Sequence, residues 1–503
     1  MNYHLVTKYL GLMSMAVGLA MIPALICALI YGETRVEFAF GVSMVLSLVL
    51  GLGMWAFGRT GSSTMFQREA IALVGLSWFI VGALGALPYI ISGALPNIVD
   101  AYFESTSGFT TTGSTVLHDI EAAPKSILFW RSFSQWLGGI GIVVLFIAVL
   151  PLLGAGGKQL LVLELPGPDH PSIRNRIQDS AKQLLWLYLG LSAALFLALA
   201  AAGLNVYDAL CQMFSTVSTA GFSPQQDSVA GFDSVLVETI VIVFMLISAI
   251  NFTLYFCLLR GDWRTLWKDS ETRLFAVILI GATAFITLNL TGWGVGENVA
   301  FAQTGAAHPP TTYAFPEAVR RATFQVAAIG TTTGFVTDDF DRWPDASRMV
   351  LVMLMLMGGC GGSTAGGFKV VRVILLAKIA YWKVESLFRP HTIRRVRMND
   401  VVVEDQVLLR LGGFFLLYLL CLAAATLVMA SYDLPLETAA SAAISSLNNI
   451  GPGLEMIGAA QDFAFLPNTA KLFLTFCMVV GRLELFTICA LLLPSFWRSA
   501  WTT

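Results

Sequence analysis

A chain of 503 residues that is 56% hydrophobic and only 12% charged, with a mean hydropathy of +0.74, is too apolar for a soluble domain, in which about a quarter of residues are charged. Its net charge of −2 offers no basic surface for nucleic acid, so no nucleic-acid partner is expected. The seven cysteines (27, 211, 257, 360, 421, 477, 489) are scattered through apolar runs, and the five histidines (4, 118, 170, 308, 391) stand at no metal-ligand spacing, so neither a disulfide framework nor a transition-metal site is expected.

The first predicted element, 9–31, is longer than a signal-peptide core and lacks a convincing cleavage pattern, so it is read as a retained span. Nine more stretches are long and apolar enough to cross a bilayer: 37–57, 71–92, 127–153, 183–204, 235–259, 274–293, 347–380, 408–430 and 470–495. The connecting loops segregate by charge. One set carries Arg59, Arg68, Lys158, Arg174, Arg176, Lys182, Arg260, Arg264, Lys268, Arg273, Lys378, Lys383, Arg389, Arg394, Arg395, Arg397 and Arg410. The other carries Asp100, Glu104, Asp119, Asp208, Asp227, Asp233, Asp338, Asp339, Asp341, Glu437, Glu455 and Asp462. The positive-inside rule places the first set, and with it both termini, in the cytoplasm. Arg320 and Arg321 break the pattern in the longest outer loop.

Four outer loops share a short string. They are Thr111-Thr112-Gly113, Thr219-Ala220-Gly221, Thr332-Thr333-Gly334 and Asn449-Ile450-Gly451, and their glycines are spaced by 108, 113 and 117 residues. Each string follows a span and a short amphipathic stretch opened by an acid (Asp100, Asp208, Glu317, Glu437), and each precedes another span. Acid suits a helix N-terminus, and the short stretches cannot cross a membrane, so they are expected to be re-entrant half-helices. The predicted fold is therefore an all-α integral membrane protein. Four helix–pore loop–helix repeats (70–154, 180–260, 272–382 and 408–497) surround a pseudo-fourfold pore, two N-terminal helices (1–60) stand outside it, and a basic connector covers 383–407.

Non-helical backbone at membrane depth is tolerated where it lines a cavity. Rings of backbone carbonyls can replace the hydration shell of a potassium ion without any fixed charge, and glycine reaches the backbone angles this needs. The strings contain no charge, so potassium held by their carbonyls is the expected ligand.

The eighth stretch is interrupted by Gly358, Gly359, Gly361, Gly362, Gly366 and Gly367, followed by Lys369. So many glycines will not sustain a helix. The segment lacks the phosphate-loop pattern GxxxxGK[ST], which leaves a swinging obstruction beside the pathway or a plain packing kink. Arg482 and Glu484 fall inside the last stretch. Arg482 is expected to face the pore or the glycine-rich segment, either as an electrostatic barrier or as a structural clamp. Broken helices also suit an alternating-access carrier coupled to protons or sodium, but carriers usually keep acids at the site. An enzyme is not expected, since HExxH and GxSxG are both missing.

The strings SGFTTTGST, STAGF, TTTGF and NNIGPG, together with Trp130-Arg131, QWLGGIGI, GGCGGSTAGGFK and GRLELFT, resemble the Trk/Ktr/HKT superfamily of microbial potassium-uptake proteins over nearly the whole chain, in its TrkH/TrkG-type membrane subunit. The resemblance implies one potassium-selective, gated pore per subunit in the bacterial inner membrane, pairing as a homodimer. It implies an intramembrane gating loop near Arg482, and a cytoplasmic regulatory subunit that carries the only nucleotide; no cofactor is expected on this chain. The basic stretch 383–397 is a docking surface for that subunit or a contact for anionic lipid head groups.

Overall fold

The computed structural model describes residues 1–60, 66–149, 173–292, 312–389, 395–399, 401–483 and 485–497. Lys158, His170, His308, His391, Arg394 and Glu484 lie outside the described residues. The chain is built almost entirely from helices. Helices α1 (Tyr3–Ala20) and α2 (Ile22–Tyr31) follow one another as a single long apolar rod, which packs against α3 (Thr34–Phe57). The first repeat comprises α4 (Gln67–Ser92), the short α5 (Ile98–Phe109) and α6 (Lys125–Val149). The second comprises α7 (Ile173–Ala201), the short α8 (Val206–Val217), α9 (Val235–Ala249) and α10 (Phe252–Leu259), with α11 (Trp263–Lys268) leading out of it. The third comprises α12 (Ser270–Leu290), the short α13 (Phe315–Gly330), α14 (Asp345–Leu356) and α15 (Val370–Phe388). A hairpin of β1 (Arg397–Met398) and β2 (Val401–Val402) leads to the fourth: α16 (Asp405–Ala430), the short α17 (Leu436–Asn448), α18 (Asn468–Arg482) and α19 (Leu485–Leu492).

Among the described residues, six helical segments are long and apolar enough to span a membrane. The short helices are not. Twelve residues in α5 and α8, thirteen in α17 and sixteen in α13 reach about 18–24 Å, against a hydrocarbon core of about 30 Å. Their N-termini carry the expected acids in the first turn, Asp100, Asp208, Glu317 and Glu437. The two arginines that break the loop-charge pattern are paired on the acidic face. Arg320 forks onto Glu238 at 2.7 and 2.6 Å, and Arg321 bonds Glu317 and Asp338.

Two of the apolar stretches read as single spans are bent. In 235–259 the axes of α9 and α10 differ by 99°. The chain turns where Ile250 is extended and Asn251 caps α10. The carbonyl of Ala249 freed there accepts from Cys360 N (2.9 Å), and Phe252 N donates to Gly362 O (3.1 Å), so the glycine-rich segment satisfies the broken helix. In the last stretch α18 ends at Arg482 and α19 sets off in a new direction. Apolar length alone carries no signal for either bend, although a polar residue stands at each, Asn251 at the first and Arg482 at the second.

Helix α6 braces the first short helix from behind. Trp130 Nε1 donates to Gly85 O of α4 at 3.0 Å, while Phe129, Phe133 and Trp136 pack around Phe214 of α8. Gly138 makes the approach possible, since a Cβ there would lie 1.9 Å from the Phe109 carbonyl. Overpacking of this kind costs about 1–3 kcal/mol. Gly138→Ala should therefore lower the thermal unfolding midpoint in detergent, and an unchanged midpoint would show that α6 does not bear on α5 as described.

Candidate functional site

Each short helix ends in the same turn. The amides of Thr112, Ala220, Thr333 and Ile450 donate to the carbonyls five residues back, those of Ser107, Ser215, Ala328 and Ser445, at 2.8–3.1 Å. In the first three helices the preceding amide also bonds back three residues: Thr111 to Gly108, Thr219 to Thr216 and Thr332 to Ile329. This is the Schellman arrangement, in which the residue after the cap is left-handed and usually glycine. Here that residue is Thr111, Thr219, Thr332 or Asn449, with φ of 54°, 51°, 56° and 54°. A β-branched residue in this region is an outlier that costs about 1–3 kcal/mol and persists only where its surroundings over-determine it. Two residues on, Gly113, Gly221, Gly334 and Gly451 are again at positive φ. In a trans peptide the carbonyl opposes the N–H. Because these N–H groups are spent on the helix behind, the carbonyls of Thr111, Thr219, Thr332 and Asn449 point away from the helices that the strings cap.

The four strings close into a ring. A Cβ on Gly113 would meet the Ala220 carbonyl at 2.2 Å, one on Gly221 the Thr333 carbonyl at 2.0 Å, one on Gly334 the Ile450 carbonyl at 1.9 Å, and one on Gly451 the Thr112 carbonyl at 3.0 Å. Each glycine thus faces the next string in the cyclic order one, two, three, four, one. All four glycines line a single cavity of about 130 Å³, which opens on the acidic loops beside His118, Gln461 and Asp462. The strings carry no charge, but four helix C-termini, each the negative end of a helix dipole, converge on them.

Side chains tie neighbouring strings by different means. Between one and two, Gln135 of α6 donates to Ala220 O (2.7 Å) and accepts from Phe222 N (3.2 Å). Arg131 joins the same pair. Its Nε bonds Glu104 at 2.5 Å, Nη1 donates to Ser223 O at 3.1 Å, and the guanidinium lies 3.5 Å from the centre of the Phe222 ring. Glu104 also accepts from Val116 N and the Thr115 hydroxyl, just past the first string, and both charged side chains are buried. Between two and three, Val336 N donates to the Ser228 hydroxyl. Between three and four, Asp341 accepts from Glu455 N, and burial, with Asp339 nearby, pushes its carboxyl up to about 6. Between four and one, Asn449 Nδ2 donates to the Thr112 hydroxyl (2.8 Å) and Ser114 Oγ to Gly451 O (2.9 Å). At the rim His118 bonds Asp462, which raises the imidazole pKa.

The glycine-rich segment lies against the opposite side of the ring. Gly366 N donates to the Thr332 hydroxyl (2.7 Å), Thr364 Oγ1 sits 3.4 Å from Thr219 Oγ1, and a Cβ on Gly366 would lie 2.5 Å from Asn448 O. Its base is closed by Gly358 N on Phe368 O and Val370 N on Gly359 O. Gly359 packs on Ala249, Gly362 on the Asn251 side chain, Gly367 on Gly358, and Lys369 Nζ donates to Ala365 O. Arg482, at the C-terminus of α18, donates through Nη1 to Thr364 O at 3.1 Å; its Nε and Nη2 find no acceptor among the described residues. Glu271 of α12 accepts from Gly361 N, within the segment.

The structure thus brings together all twelve string residues, and the glycine-rich segment with Arg482 beneath them. The sequence reading missed Gln135, the Glu104–Arg131 pair as a brace, and Glu271. Two charged residues within apolar helices were the available signal for the pair; its partnership spans 27 positions and has no local signature. Among the described residues no group of three or more His, Cys, Asp or Glu could hold a metal ion.

Removing one partner of a buried ion pair costs about 3–5 kcal/mol because the other is stranded. Arg131→Met should lower the thermal midpoint in detergent, and adding Glu104→Leu should recover much of the loss. Equal midpoints for the single and double variants would show that charge pairing is not what was lost.

The family model TrkH, described as a cation transport protein, matches residues 37–498. The chain is 36% identical over 502 residues to the Trk system potassium uptake protein TrkH of Salmonella typhimurium, covering 99% of this chain and 100% of that one. It is 31% identical over 501 residues to the Trk system potassium uptake protein TrkG of Escherichia coli, covering 99% of each. The crystal structure of the potassium transporter TrkH from Vibrio parahaemolyticus superposes with a TM-score of 0.86 at 33% identity, covering 99% of this chain and 100% of that one.

Proposed function

The chain belongs to the TrkH family of cation transport proteins, multi-pass membrane proteins, and on that premise we propose that it takes up potassium through a selective, gated, channel-like pore whose filter is the ring of four strings. One observation carries the reading: Gly113, Gly221, Gly334 and Gly451 each face the carbonyl of the next string, while the carbonyls one residue earlier turn away from their helices. A bare potassium ion in that ring meets oxygens where it would otherwise meet water. The four helix dipoles favour its charge, and the acidic mouth gathers cations.

The segment Gly358–Lys369 is the gate in this reading. It lies directly under the Thr219, Thr332 and Asn449 level, and the Arg482 guanidinium holds a positive charge beside the pathway. The basic face is cytoplasmic, with both termini, in the bacterial inner membrane. The working unit is a homodimer with a peripheral nucleotide-binding regulatory subunit, and this chain needs no cofactor of its own. The broken helices also suit a carrier, yet no acid stands in the strings.

Purified protein in liposomes should pass potassium down its own gradient with no proton gradient imposed; a strict requirement for a proton or sodium gradient would select the carrier. Gly334→Ser drives a side chain into the Ile450 carbonyl and should reduce discrimination against sodium by roughly tenfold, about 1.4 kcal/mol. Unchanged selectivity in both Gly334→Ser and Gly113→Ser would reject this filter. Shortening the 358–369 segment should raise potassium flux in the same liposomes, and unchanged or lower flux would remove its gating role.

A further inference from the structure

Both limbs of the glycine-rich segment are held by one side chain outside it. Glu271, in the first turn of α12, is 6% exposed, and its Oε1 accepts from Gly361 N at 2.9 Å and from Val371 N at 2.8 Å. Gly361 lies within the segment and Val371 two residues beyond it. A single oxygen therefore pins the outgoing and returning chain at one point. Without it, two amides in an otherwise buried place would lose their acceptor.

The turn that carries Glu271 is itself anchored to the basic face. Asp269 caps α12, its Oδ2 accepting from the Thr272 amide (2.8 Å) and hydroxyl (2.7 Å). Its Oδ1 accepts from Asn399 Nδ2 at 2.6 Å, and Ser270 N returns a bond to Asn399 Oδ1 at 3.0 Å. Asn399 is the left-handed turn residue of the β1–β2 hairpin, with φ of 45°. The hairpin is closed by Val403 N on Val396 O, and Met398 and Val403 are buried in the same apolar cluster as Phe275 and Ile374. Its other side is exposed through Arg395, Arg397, Val401 and Val402. Short bonds thus lead from the hairpin (Asn399) through the α12 cap (Asp269, Ser270) and Glu271 to the segment (Gly361, Val371), and the chain carries on within the segment to Gly366, which bonds Thr332 of the third string.

We propose that the first turn of α12 is a latch: Glu271 is a positioning residue that holds the glycine-rich segment against the strings, and the β1–β2 hairpin sets that hold through Asn399. A displacement of the hairpin moves the α12 cap, and the shared oxygen on Glu271 moves both limbs together. The consequence for ion flow rests on the gating reading above; the mechanical claim does not.

The segment supplies its own reporter, since Cys360 is fully buried and bonded through its amide to α9. The full chain, with Cys360 as its sole cysteine, is placed in nanodiscs and exposed to a charged maleimide. Glu271→Ala should label at Cys360 at least threefold faster than the parent. Glu271→Gln, which retains a carbonyl acceptor for both amides, should label near the parent rate. Asn399→Gly, which keeps the left-handed turn and removes both side-chain bonds, should shift labelling in the same direction as Glu271→Ala. Parent-like labelling in Glu271→Ala overturns the latch, as does Glu271→Gln labelling as fast as Glu271→Ala, and parent-like labelling in Asn399→Gly overturns the link to the hairpin. Potassium flux measured in parallel separates the two readings: faster labelling with unchanged flux upholds the latch and removes the gate.

Discussion

A helix that stops inside a membrane leaves amides and carbonyls that no lipid can satisfy, and the whole site follows from how four helices meet that constraint. Each bends its final amides back onto its own last turn, at Thr112, Ala220, Thr333 and Ile450. With these donors consumed, the carbonyls of the same peptides face the other way. Carbonyls turned outward at the negative ends of four helices make a setting that favours positive charge.

The backbone turns repeat four times; the means of holding them do not. A buried ion pair and the Gln135 amide clamp strings one and two, while a serine hydroxyl serves strings two and three. Asp341 serves strings three and four, and the Asn449 amide with the Ser114 hydroxyl serves strings four and one. The departure at Asn449 has a local reason. Asparagine adopts the left-handed conformation more readily than threonine, and its amide reaches both the Thr112 hydroxyl and the Met478 carbonyl of α18. A threonine could not span that pair. The fourth string therefore gives up a hydroxyl and gains a brace to its neighbouring repeat.

The glycine-rich segment obeys the same constraint in reverse. Lacking helical bonds of its own, it borrows partners from every element around it: the broken end of α9, the Glu271 carboxylate, the hydroxyl of the third string and the Arg482 guanidinium. Such a segment is ordered by its neighbours rather than by itself, so its position responds to theirs. This is the physical content of the gating proposal.

Much of this was legible in the chain alone. Apolar length located the spans, because crossing a bilayer imposes a minimum run of residues that composition reveals. The glycines at 113, 221, 334 and 451 stood out through spacing and shared neighbours, because a left-handed turn in a close-packed ring leaves few residues that fit. The bends after Ala249 and after Arg482, the Glu104–Arg131 pair, the Gln135 clamp and the Glu271 contact were decided by tertiary structure. Hydrophobicity is blind to direction, so a bent helix reads like a straight one. A bond between distant positions leaves no periodicity on either. Local backbone demands are written into short strings of residues, while the partners that enforce them are settled only when the repeats close around one axis.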